Sequence, residues 1–444
     1  MKIKTINIKQ GSAKTTSDIV KTDSLPLSND SDSFLKKMMQ MKISKKGLMK
    51  VLLVSLPIVL VLFIIGLILS SGVFNNHEKL NEEYVLITFL NSGNSNILHS
   101  QDNLLGYSEI PVPKNKTNPV NGNLVTDEKY GELLNKKAFM VTINNHPKAR
   151  AQSGLSQADI VLEVLTEGGI SRYVGLFYEN EPEKIGPVRS IRRYMLDYIA
   201  EFDDPVILHE GGASFNDSDS VYVRETDALR DINQYGMKSM RSADSRYRDL
   251  KKASSSGYVH SLYTSYKLIE DEFERYHDNL GWERESNIED PGNWKFPDAY
   301  DDRGNGGKLD ITFLSTAKSI SSSGFSYNKD TNTYDRFITG KEDYDLNNSQ
   351  RISPSNVIIE WHNYRNANDG YGRIIIDMIG EGELEIYRDG KLIKGTWKKD
   401  SRESRTRYYD SNGVEIELNR GQIWKTIALK TGSNKISSVS YEEN

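Results

Sequence analysis

Apolar and polar positions follow several distinct patterns along this 444-residue chain. Residues 51–71 (VLLVSLPIVLVLFIIGLILSS) form an unbroken apolar run without a charge. Its length matches the ~20 apolar residues that carry a helix across ~30 Å of hydrocarbon. Pro57 and Gly66 are tolerable there, because neighbouring groups can satisfy the freed backbone. Lys36, Lys37, Lys42, Lys45, Lys46 and Lys50 lie on the N-terminal side. Asn75, Asn76, Glu78, Glu82 and Glu83 follow on the other, opposed only by Lys79. The positive-inside rule therefore predicts a single span, with residues 1–50 cytoplasmic and the chain beyond ~72 outside. A cleaved signal peptide would have an apolar region of about 7–15 residues and an A-x-A-like site. Ser70-Ser71-Gly72 matches that site poorly.

Residues 1–33 are too polar to offset ordering entropy and read as a disordered basic tail. Residues 34–43 (FLKKMMQMKI) suit either a short basic amphipathic helix on the inner leaflet or a plain linker. The Asn- and Ser-rich stretch 72–118 reads as an extracellular stalk.

Globular patterning runs from 119 to 300. Residues 138–144 (AFMVTIN) predict a strand. Residues 156–166 (SQADIVLEVLT) are ambiguous: Ser156 and Asp159 could cap a helix, while the apolar run favours a buried strand. Residues 172–178 predict another strand, and a helix is expected after Ser190 with Met195, Ile199 and Phe202 inward. PVIL at 205–208 reads as a short buried strand. Steps of three and four between residues 259 and 276 predict an amphipathic helix over at least the later part of that stretch. This mixture implies an α/β or α+β domain. From 308 to 430 strand-like runs recur at 311–314, 325–327, 334–338, 357–361, 373–379 and 383–388. Asp389-Gly390 and Asn412-Gly413 each mark a two-residue hairpin turn, with return strands at 391–397 and 414–418. A last strand is expected at 423–429, and residues 431–444 read as a disordered end. Together these predict a small antiparallel β domain.

The formal charge is −5, yet residues 1–50 carry +7, leaving −12 on the rest. That balance argues against nucleic-acid binding. Cysteine is absent, so there is no disulfide, thiol nucleophile or lipid-bearing cysteine. The seven histidines never take a zinc-finger spacing, and no metal site or cofactor is assigned. Chemistry concentrates at 138–214, in polar, glycine-containing loops at the ends of buried strands, where open α/β sheets place ligands. Arg189, Arg192 and Arg193 fall at i, i+3 and i+4 and would share one face of a helical first turn. With Arg172 they could offer bidentate donors to phosphate or carboxylate. Asn145, Ser190 and His260 complete the expected binding set; Asp159, His146 and His209 are the catalytic candidates. The bland alternative is that the arginines pair internally with Asp159, Glu163 and Glu167. Trp361, Trp397 and Trp424 read as core residues rather than a carbohydrate-stacking platform, and Asp203-Asp204 and Asp301-Asp302 as solvated turns.

Several strings resemble a known family. NNHPKAR–QSGLSQADIVLEVLTEGGISRY, EKIGPVRS, HEGG and HSLYTS are similar to the N-terminal domain of the YerB-like lipoprotein family. GRIIIDMIGEGELEIYRDGKLIKGTWKKDSRE and YYDSNGVEIELNRGQIW resemble its C-terminal domain. The resemblance covers roughly residues 118–430 and implies a bacterial protein on the outer side of the cytoplasmic membrane, with no implied reaction. The chain departs from the family pattern in lacking the lipid-bearing cysteine. It also has Ala151 where A-R-P-Q would have proline, and Arg193 where proline follows S-A-R. The leading expectation is an outer domain that binds an anionic wall polymer or lipid-linked phosphate. Phosphoryl or glycosyl-phosphate transfer, and docking of an envelope protein partner, are the alternatives.

Overall fold

The ambiguous stretch at 156–166 resolves into a strand in the computed structural model, which describes residues 112–216, 219, 221–284, 293–297 and 302–444. The basic tail, the apolar run 51–71 and the stalk up to residue 111 lie outside the described residues. Among those described, no helix is long and apolar enough to cross a membrane.

The first half of this region contributes five strands to the main sheet: β1 (Phe139–Asn144), β2 (Ile160–Leu165), β3 (Ser171–Phe177), β4 (Val206–Leu208) and β5 (Ser239–Met240). The second half supplies β6 (Gly307–Thr312), β7 (Ser322–Asn328), β8 (Thr333–Ile338), β9 (Asn356–Asn366) and β10 (Gly380–Arg388). It ends with β11 (Lys391–Lys399), β12 (Arg407–Asp410), β13 (Ile423–Thr431) and β14 (Ser438–Glu443). The main helices are α1 (Asp127–Leu134), α2 (Arg193–Ile199), α3 (Ala228–Gln234), α4 (Leu250–Ser256) and α5 (Tyr266–Leu280).

The main sheet runs β12-β11-β10-β9-β13-β2-β3-β1-β4-β5. The change of sequence character near residue 301 is therefore no break in the sheet: β13 pairs in parallel with β2, Ile423 opposite Ile160. β9 also pairs in parallel with β13. The C-terminal strands are thus not the all-antiparallel set that the hairpin signals predicted, and the architecture is mixed α/β. A second sheet, β8-β7-β6-β14 with the short strand Lys341–Glu342 on the outer edge of β8, is antiparallel. β14 corrects the expectation of a frayed end: all its residues pair with β6, from Ser438 opposite Thr312 to Glu443 opposite Gly307. Alternation turns Val439 and Tyr441 onto the core.

β2 reads as a continuous apolar run because both of its faces are covered. On one face Ile160, Leu162 and Val164 pack with the α2 region; on the other Val161 joins Trp424, Phe325 and Ile311 from the second half. Each core therefore draws residues from both halves. Trp361, Trp397 and Trp424 are all buried, as their alternation predicted. Asp389-Gly390 makes its turn with φ of 52° and 66°, matching a type I′ hairpin. After Asn412-Gly413 the expected return strand is absent; only single bonds such as Ile416 N–H to Tyr408 O form. The helix expected over at least the later part of 259–276 runs from Tyr266 to Leu280, and at its start the Ser265 hydroxyl accepts from Leu268 N–H at 3.1 Å.

Charged groups are buried across the seam. Arg336, on β8, is fully buried and donates to Glu163 of β2 (3.1 Å), the Tyr173 hydroxyl (2.9 Å) and Asp343. Its guanidinium lies 4.2 Å from the Trp424 ring centroid. On the other face Glu201 accepts from Lys399 at 3.4 Å, and Lys425 meets Glu360 at 2.8 Å. Removing one member leaves a desolvated charge alone, so Arg336→Met should destabilise by about 3–5 kcal/mol. Urea unfolding should show that loss in one transition shared by both halves. Two separate transitions, or a loss below ~1 kcal/mol, would contradict the shared-sheet account.

Candidate functional site

β1, β2 and β4 end, and β3 begins, at one end of the sheet, where Asn144 stands opposite Arg172. Segment 185–191 is threaded beside β1: Asn144 N–H donates to Pro187 O (2.8 Å) and Arg189 N–H to Thr142 O (2.9 Å). Val188 N–H donates to Leu262 O at 2.6 Å, which brings the 258–264 stretch alongside.

Asn144 orients the polar groups gathered at this end. Its Oδ1 accepts from His146 N–H at 3.0 Å, which fixes the amide and turns Nδ2 toward His260 Nδ1, also at 3.0 Å. His146 Nδ1 accepts from Lys148 N–H at 3.1 Å. Both neutral imidazoles therefore carry their proton on Nε2. The rings stack with centroids 4.6 Å apart and 20° between planes. Neither Nε2–H has a hydrogen-bond partner among the described residues.

The charged groups acting on His146 are Lys148, Arg150 and Arg189, all cationic. Burial, followed by those charges, lowers its pKa. His260 is pushed down to about 4, first by burial and then by His146, Arg189, Lys148 and Lys252. The Arg189 guanidinium has neither hydrogen bond nor ion pair among the described residues. Burial and Arg192 lower its pKa, with Glu210 opposing. Arg150 binds only carbonyl and amide oxygens: Asn145 Oδ1 at 2.9 Å, Asn145 O at 3.0 Å and Ile320 O at 2.5 Å. Lys252, at the start of α4, donates to Arg150 O at 2.9 Å.

The arginine expectation is corrected in part. Arg189 lies in extended chain, Arg192 is the N-cap residue and Arg193 opens a seven-residue helix, so the three do not share a helical face. Arg192 is held bidentately by Glu167, both bonds 2.6 Å. Arg193 meets Asp231 at 2.6 Å, the Tyr235 hydroxyl at 3.0 Å and Asp197. These two are already neutralised within the protein. Arg172 is not: it is 7% exposed, donates to Ser190 O at 2.5 Å and leaves Nε unpartnered. Burial, with Arg192 adding to it, lowers its pKa to about 9.

The other candidates divide. Ser190 is half-buried with its hydroxyl unengaged among the described residues. Asn145 is committed internally, donating to Ser171 Oγ at 2.7 Å and accepting from Arg150 and Gln152. His209 spends both nitrogens, on Gly211 O (2.7 Å) and Ser239 Oγ (2.9 Å). Burial lowers its pKa to about 4. Asp159 precedes β2, whereas Glu167 follows it, roughly 20 Å away along a strand of this length. It accepts from Asn121 (2.5 Å) and from the amides of Tyr178 (2.7 Å) and Glu179 (3.1 Å), and burial raises its pKa to about 7. Glu163 belongs to Arg336 rather than to the arginines of 172–193. Sequence reasoning missed Asn144 as the organiser and Lys252 as a neighbour. Asn144 stood in the quoted NNHPKAR string; Lys252 gave no local signal.

Residues 124–279 match the N-terminal domain of a protein family of unknown function, DUF3048, and residues 309–424 its C-terminal domain. YerB of Bacillus subtilis (strain 168), named as a lipoprotein, is 29% identical over 286 residues, which is 63% of this chain and 77% of YerB. The crystal structure of a Bacillus subtilis YerB protein is similar with a TM-score of 0.59 and 24% identity, covering 73% of this chain and all of that one. With both domains matched in order and the fold shared, the chain belongs to the YerB-like DUF3048 family, whose domains are of unknown function.

Proposed function

We propose that this chain is a membrane-anchored envelope protein whose outer part holds an anionic ligand, a phosphate- or carboxylate-bearing wall polymer or lipid-linked phosphate, at the His146–His260 pair. One observation carries the reading: two stacked imidazoles, both within electrostatic reach of Arg189, present Nε2–H groups that have no acceptor among the described residues, and the charges acting on His146 are all cationic. An anion with several oxygens can accept from these unpaired donors together, through charge-assisted hydrogen bonds. Arg172, Ser190 and Lys148 are the adjoining donors. Transfer chemistry would call for a base or metal-binding carboxylate beside these donors. Asp159, the carboxylate considered for that role, lies at the far end of β2, so binding is the better supported reading.

Pyrophosphate, as probe, should bind the protein in calorimetric titration. Arg189→Gln should weaken binding about ten-fold, as expected for loss of a charge-assisted contact. Equal binding by the variant would exclude the site.

Affinity should also depend on pH. His260 has its folded pKa near 4, below the ordinary ~6.5, and a bound anion favours the charged ring. Binding therefore takes up protons: affinity rises as pH falls from ~7.5 toward 5 and levels off once the free site is itself protonated, below about 4. An affinity that falls over that range would contradict the assignment.

Residues 51–71 supply the anchor that a cysteine-free chain cannot obtain by lipidation. The protein should stay in the membrane after alkaline carbonate extraction, and protease added outside spheroplasts should digest residues 112–444 while sparing the tail. Release by carbonate, or digestion of the tail, would contradict the topology.

A further inference from the structure

A concavity lies away from the imidazole pair. It encloses about 640 Å³, within the usual range for small-molecule sites, and is lined by Glu201, Tyr235, Asn293, Arg402 and Arg405 among others. Its charged walls are mostly self-paired. Asp203 meets Lys137 (3.2 Å), Asp204 meets Lys238, Asp400 meets Lys398 (3.3 Å), Glu403 meets Arg402 (2.5 Å) and Arg407 meets Glu415 (2.5 Å).

Arg405 is different. Among the described residues its guanidinium meets no carboxylate within 4.0 Å; its one hydrogen bond goes to Asn293 Oδ1 at 3.2 Å. Its central carbon lies 4.2 Å from the Phe202 ring centroid and 5.2 Å from that of Trp294. Aromatic rings bind the flat faces of guanidinium, which leaves the N–H edge as the route to an acceptor. Glu201, also in the wall, is 4% exposed, and only its Oε2 is fully used, by Thr406 N–H and Oγ1 (both 2.7 Å) and by Lys399 (3.4 Å). Its Oε1 lies 3.7 Å from Lys425 and has no hydrogen-bond partner. Arg405 thus brings N–H groups beyond its Asn293 bond to the hollow, whereas the Glu201 carboxylate is closed off beneath the wall and held by Lys399 and Lys425. The rim carboxylates Asp400 and Glu403 are instead 73% and 62% exposed and paired only by weak surface bridges, so they can receive a donor.

We propose that this hollow binds a small zwitterion, its carboxylate seated on the Arg405 edge and its ammonium or hydroxyl donors on the acidic rim of Asp400 and Glu403. A dipeptide has both ends at the required chemistry and a volume well below that of the hollow. The site is independent of the imidazole pair.

The test uses the full chain and the alanyl-alanine dipeptide as probe, with acetate and inorganic phosphate as single-ended comparisons. The dipeptide should bind at roughly millimolar concentration and move the Arg405 Nε–H resonance of the unaltered protein. Arg405→Gln should weaken it about ten-fold and Asp400→Asn about two-fold, while Arg189→Gln leaves it unchanged. The Nε–H signal keeps the test decisive even where Arg405→Gln does not fold. No shift of that signal with the dipeptide at ~10 mM would overturn the proposal. So would equal affinity of acetate or phosphate, or equal binding by a folded Arg405→Gln protein.

Discussion

Glu163 is a carboxylate fixed near the centre of β2, fully buried, in a strand covered on both faces. A lone charge there would be too costly to keep, so the chain must bring a cation to it from outside β2. The cation is Arg336, 173 residues later. Its arrival seats the second sheet over the main one, against Tyr173 and Trp424. The same logic acts on the opposite face, where Glu201 and Glu360 from different halves share Lys425. The matching of these charges fixes the register between halves that sequence character alone would separate.

Local patterns carried much of the fold. β1, β3, β4 and the 389–390 hairpin arise from short apolar runs and one turn dipeptide, signals that act within about ten residues. What stayed hidden depended on partners far away in the chain. β14 (SVSYEE) has too little apolar content to announce itself and becomes a strand because β6 offers an unpaired edge. The parallel pairing of β13 with β2 has no local signature at all.

The candidate site shows the same division. The cluster of polar strings at 138–214 correctly marked one end of the sheet. Spacing suggested a shared helical face for three arginines, but helix α2 starts too late for that. Glu167 and Asp231, 25 and 38 positions away from their partners, decide which arginines remain available. Elimination leaves Arg189 and the imidazoles, aligned by Asn144. His260 comes into place only because the 258–264 stretch pairs with the segment that carries Arg189. Arg193, expected to add charge at the anion site, is instead neutralised by Asp197 and Asp231 and leaves the donor cluster unaltered.

The two stacked rings are acted on by cationic charges and by each other, with no carboxylate facing them among the described residues. The most direct measurement is an NMR titration of the His260 imidazole in the ligand-free protein. The account predicts a midpoint far below the ordinary ~6.5, near 4. A midpoint at or above ~6.5 would mean that a carboxylate already faces the ring, and the site would then have no vacancy for an anion.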